Sequence, residues 1–207
     1  MAEGPGAAPG KGRVEAFSDG VIAILVTIMV LELRLPEAFA RGLDPAALAA
    51  FAPKLIAYAT SFLVLAVMWV NHRHLLHAAR EISGGMLWLN NFLLFGMSLV
   101  PAATGFLGDH PFLPNASAIY GAVLTCTAAT FTLMRYQLLR GDQQNPALAR
   151  THARNIQWSA VGNLIYAASI PLAYVSVYAA FACFAVVPAM FFLPGPGRQA
   201  GGLGEPG

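Results

Sequence analysis

Arg13 to Pro36 reads RVEAFSDGVIAILVTIMVLELRLP. From Gly20 to Leu33 Thr27 and Glu32 alone interrupt an apolar run. A helix here can cross a hydrocarbon core of about 30 Å, which takes about 20 residues. It nevertheless opens on Arg13, Ser18 and Asp19. Placing an aspartate at bilayer depth costs about 2.5 to 3.5 kcal/mol on insertion scales, so Asp19 must lie near an interface, be paired, or face the protein interior. Asp19 is thereby a functional candidate.

The rest of the chain has the same character. Of its 207 residues, 57% are hydrophobic and 11% charged, against roughly a quarter charged in soluble domains. An all-α integral membrane protein follows, with six transmembrane helices at about Val14–Leu35, Pro53–Leu76, Gly85–Leu107, Ser117–Leu139, Asn155–Pro171 and Leu172–Leu193. The last two are read as one hairpin, because Asn155 to Leu193 carries no charge and only Pro171 and residues 174 to 176 mark a turn. Residues 13–193 form the membrane domain and leave no room for a soluble one. Residues 1–12 and 194–207, rich in Gly and Pro, are read as disordered tails.

Charge orients the bundle in the cell membrane. With both termini cytoplasmic, Lys11, Arg13, Arg73, Arg80, Arg135, Arg140, Arg150, Arg154 and Arg198 lie inside, and Arg34, Arg41 and Lys54 outside. A secretory leader is the weaker reading of the first helix: Glu37-Ala-Phe-Ala40 resembles a cleavage site, but Glu15 and Asp19 spoil the basic start. The net charge of +2 is small and scattered, which gives no nucleic-acid surface.

At about 100° per residue, Ile24, Ile28 and Leu31 share a narrow stripe, with Thr27 on its edge and Asp19 turned away. The plain reading is ordinary helix packing. The sharper one is a pore wall, since rings of branched apolar side chains around an axis narrow a path until it dewets. Arg13, Ser18 and Asp19 have Trp69, Asn71, His72, Asn90 and Asn91 available as partners on the next two helices. Such a cluster can simply fasten helices. Glu32, Arg34 and Glu37 at the outer end are solvated residues or an electrostatic entrance.

His72, His74 and His77 lack further ligands at clear spacing, so no metal and no cofactor is expected. Cys126 and Cys183, inside apolar runs, read as small buried apolar residues. G-x-S-x-G, H-E-x-x-H and glycine-rich phosphate loops are absent, which argues against an enzyme. The T-V-G-Y-G potassium filter is absent too.

Arg13-x-x-x-Phe17-Ser18-Asp19 followed by Gly20 to Glu32 resembles the first-helix signature of the transmembrane protein 175 family of potassium channels, in its prokaryotic single-repeat form. Ser61-Phe62 and Trp69-x-Asn71-His72 resemble its second-helix pattern, while the later helices agree in hydropathy alone. The resemblance implies a homotetramer in the lipid bilayer, with four first helices around a central potassium path. It makes Ile24, Ile28 and Leu31 the hydrophobic constriction and Thr27 the hydroxyl layer tied to potassium preference. Arg13, Phe17, Ser18 and Asp19 become the cluster holding the pore helix, with His72 and Asn90 or Asn91 as partners. A closed ring of copies is also what one stripe needs to enclose a path. The competing functions are a proton-coupled secondary transporter, with Asp19 and His72 as relay, and a non-transporting membrane scaffold.

Overall fold

The computed structural model describes residues 10–42, 44–79, 81–141 and 146–192, and among them it contains helices and no strand. The expected tails lie outside this range except at Gly10 to Gly12, where Gly10 precedes the first helix and Lys11 and Gly12 already belong to it. Seven α-helices follow in order: α1 Lys11–Ile28, α2 Pro45–Ala78, α3 Gly84–Ser98, α4 Val100–Asp109, α5 Pro114–Gly141, α6 Pro146–Val175 and α7 Val177–Phe192. Short 3-10 turns at Met29–Glu32 and Glu37–Arg41 bridge α1 to α2.

Among the described residues, five stretches are long and apolar enough to cross a membrane: Lys11–Glu32, Pro45–Ala78, Gly84–Asp109, Pro114–Leu138 and Ile156–Val175. The shorter Val177–Phe191 is apolar as well. All-helical spans suit a bilayer because each satisfies its own backbone hydrogen bonds.

Several expected boundaries are corrected. The first helix is α-helical only to Ile28 and then tightens into the 3-10 turn. The second starts at Pro45, not Pro53. Asp44 caps it by accepting from the Ala46 N–H at 3.2 Å, and Pro53 sits inside the helix. Proline at the first helical position gives up no bond, which is why Pro45 opens the helix well. The expected third helix is two, α3 and α4, because Pro101 cannot donate to the carbonyl four residues back. Between the last two helices the break falls at Ser176 and not at Pro171, which lies within α6. The Ser176 hydroxyl accepts from the Ala179 N–H at 3.4 Å and so caps α7.

α5, α6 and α7 pack on one another, α2 contacts α4 and α7, and α1 lies against α2 and α3. Between helices in lipid the water-driven hydrophobic term is absent, so close packing and hydrogen bonds carry the association. Gly96 of α3 leaves room for Thr127 of α5, where an added Cβ would come within 2.6 Å of its hydroxyl. Buried hydroxyls link three helices: Thr104 of α4 donates to Ser61 of α2 at 2.7 Å, and Ser61 pairs with the Tyr120 hydroxyl of α5 at 2.7 Å. The expected burial of Cys126 is corrected, since it is exposed. Its position on α5 turns it outward, with Leu124 and Thr127 taking the inward places.

Candidate functional site

α1 has two chemically different faces. Val14, Ser18, Ile22, Leu25 and Met29 are buried against the bundle. The opposite face carries Arg13, Phe17, Gly20, Ile24, Thr27, Ile28 and Leu31, all exposed in the single chain. Ile24 is 60% exposed and Leu31 71%, values that leave both nearly free of contact within their own subunit. A spacing of four and three residues keeps this stripe in line along the helix. The 3-10 turn holds Leu31 on the exposed side while Met29 is fully buried.

Thr27 donates its hydroxyl to the Ile24 carbonyl at 2.9 Å, as helical threonines do, so its oxygen lone pairs remain outward. Gly20 has open space where a side chain would stand.

Three of the cluster residues named from sequence come together behind the stripe. The Asn90 amide of α3 donates to the Ser18 hydroxyl at 3.0 Å, and its carbonyl oxygen lies 2.7 Å from His72 Nε2 of α2. All three side chains are buried. Asp19 stands beside them, accepting from the Trp69 indole N–H at 2.8 Å. Arg73 covers the Trp69 ring, 6.0 Å from its centroid. These bonds join α1 to α2 and α3 in a region where unpaired polar groups are costly.

The other cluster members lie elsewhere. Arg13 and Phe17 continue the exposed stripe, and Asn91 is exposed on α3. Asn71 faces α5, accepting from Arg135 at 3.1 Å. At the opposite end of α1, Glu32 is half-buried with its carboxylate set against Gly105 of α4, where a Cβ would collide with it. Lys54 pairs with Asp109 nearby, while Arg34 and Glu37 are exposed. His74 and His77 are exposed, and no group of three metal ligands occurs among the described residues.

Sequence reasoning missed two things here. The four-three spacing already placed Arg13 and Phe17 on the line of Ile24, but reading Arg13 to Asp19 as one motif hid it. Lys11, read as a cytoplasmic charge in the N-terminal tail, donates to the carbonyls of His77 and Ala79 at 2.7 and 2.9 Å.

Residues 13–101 match the family model described as the endosomal/lysosomal potassium channel TMEM175. A potassium channel of Chryseobacterium sp. strain P1-3 is 35% identical over 185 residues, covering 89% of this chain and 93% of that one. The human endosomal/lysosomal proton channel TMEM175 is 35% identical over 102 residues, 45% of this chain and 20% of that protein. Among solved structures, the lysosomal potassium-selective channel TMEM175 homolog from Chamaesiphon minutus superposes with a TM-score of 0.74 at 27% identity, over 87% of this chain and 95% of that one.

Proposed function

The chain belongs to the TMEM175 channel family, and on that premise we propose that it is a potassium-permeable channel of the cell membrane. Four copies assemble so that the exposed faces of their α1 helices enclose the ion path, each chain crossing the bilayer six times with its termini in the cytoplasm.

The observation that carries this reading is the composition of the exposed α1 face and its flank on α3. Arg13, Thr27 and Asn91 all stand outside the single chain. Arg13 sits at the cytoplasmic edge, but Thr27 and Asn91 lie within the membrane-crossing stretches, where polar groups without a partner are costly, so water or another copy is the cheaper neighbour for such a face. The face is also too apolar for a water-filled tube: Ile24, Ile28 and Leu31 would form successive rings that pinch the path. Thr27 between them would offer four hydroxyl oxygens to a partly dehydrated cation. The Ser18–Asn90–His72 cluster and the Asp19–Trp69 bond would act behind the pore wall, fixing the height and rotation of α1 without touching ions.

Purified protein in liposomes, held between potassium and sodium solutions, tests the proposal by its reversal potential. The reading expects a potential displaced toward the potassium equilibrium value, with flux needing no second gradient. Flux that vanishes without a proton gradient would replace the channel by a coupled transporter. Silent membranes containing intact tetramer would leave a scaffold.

A further inference from the structure

Lys11 lies on the far side of α1 from Arg13 and the exposed stripe, and its contacts are unlike those of any solvated end-of-helix lysine. Its ammonium donates to the His77 carbonyl at 2.7 Å and the Ala79 carbonyl at 2.9 Å, with Glu15 one turn along at 3.9 Å. α2 ends at Ala78, so His77 supplies one of the carbonyls that a helix leaves without an internal donor. The negative end of the α2 dipole meets a cation there. Ala79, although in the turn that leads to α3, is itself buried, which holds this acceptor in place.

These bonds join the first residue of α1 to the last turn of α2, 66 and 68 residues apart in sequence. The remaining ties of α1 to the bundle begin at Val14 and Ser18. Among the described residues no side chain caps the N-terminus of α1 at Gly10, so Lys11 is the first side chain that ties this end of the helix to the bundle.

We propose that Lys11 is a positioning residue that latches the cytoplasmic end of the pore helix onto the C-terminus of α2 and so sets how far that end of the path opens. It touches no ion. The inference rests on the channel reading for its effect on conduction, but the latch itself does not.

The test compares full-length Lys11→Met and Lys11→Arg with the parent in lipid nanodiscs and planar bilayers. Lys11→Met is expected to speed amide exchange in residues 15 to 19 about fivefold, the scale of losing one helix-end charge interaction. It should change open probability by about the same factor, leaving unitary conductance and the potassium-to-sodium ratio as they were. Lys11→Arg, which still donates to two carbonyls, should restore both. Unchanged exchange in Lys11→Met overturns the latch, as does a failure of arginine to rescue. An altered unitary conductance in the methionine variant would show that the ammonium acts on ions directly and also overturns it. If the parent protein conducts nothing, the channel reading fails, and the exchange measurement alone still decides the latch.

Discussion

At the residue scale, the two faces of α1 respond differently to substitution. Thr27 spends its hydrogen on the Ile24 carbonyl, so Thr27→Ala removes an outward oxygen without orphaning a buried group. The expected result is an unchanged assembly, the proposed tetramer, whose potassium preference over sodium falls about two- to tenfold, the worth of one net hydrogen bond. An unmoved reversal potential would dismiss Thr27 from ion contact. Ile24→Asn wets the proposed narrowest ring, and we expect larger leak with weaker ion discrimination in the same bilayers. Ser18→Ala behaves otherwise, because it strips Asn90 of a buried partner. It should cost about 1 to 3 kcal/mol, seen as thermal unfolding at a lower temperature, with selectivity intact in whatever survives.

At the scale of elements, glycines distinguish packing from path. Gly96 packs under Thr127, so Gly96→Val must push α3 from α5 and is expected to reduce folded yield in detergent. Gly20 has nothing around it, so Gly20→Val should fold within the subunit and show its effect as reduced conductance. The same elements show how much the sequence could say. The apolar run from Gly20 and the polar start at Arg13 were legible because bilayer length and charge cost act locally. The break at Ser176 was half legible: residues 174 to 176 stood out as a turn, but the boundary went to Pro171, whose lost hydrogen bond is tolerated inside α6. Pro53 misled in the same way, masking the Asp44-Pro45 start of α2. Of the polar cluster, Ser18, His72 and Asn90 meet in space, whereas Arg13 and Phe17 belong by helical phase to the stripe. Partners such as Lys11 with His77 depend on how α1 leans on α2, which no local pattern encodes.

For the whole molecule, the proposed function requires that the exposed α1 face border a shared aqueous path and not lipid. Potassium-sized silver ions applied from solution distinguish these surroundings, because a thiol in the path meets them and one among acyl chains does not. The measurement is potassium current through Ile24→Cys after Cys126 and Cys183, both free, have been replaced by alanine. Rapid, lasting silver block is expected in Ile24→Cys and none in the cysteine-free parent. A current through Ile24→Cys that silver leaves untouched would contradict it.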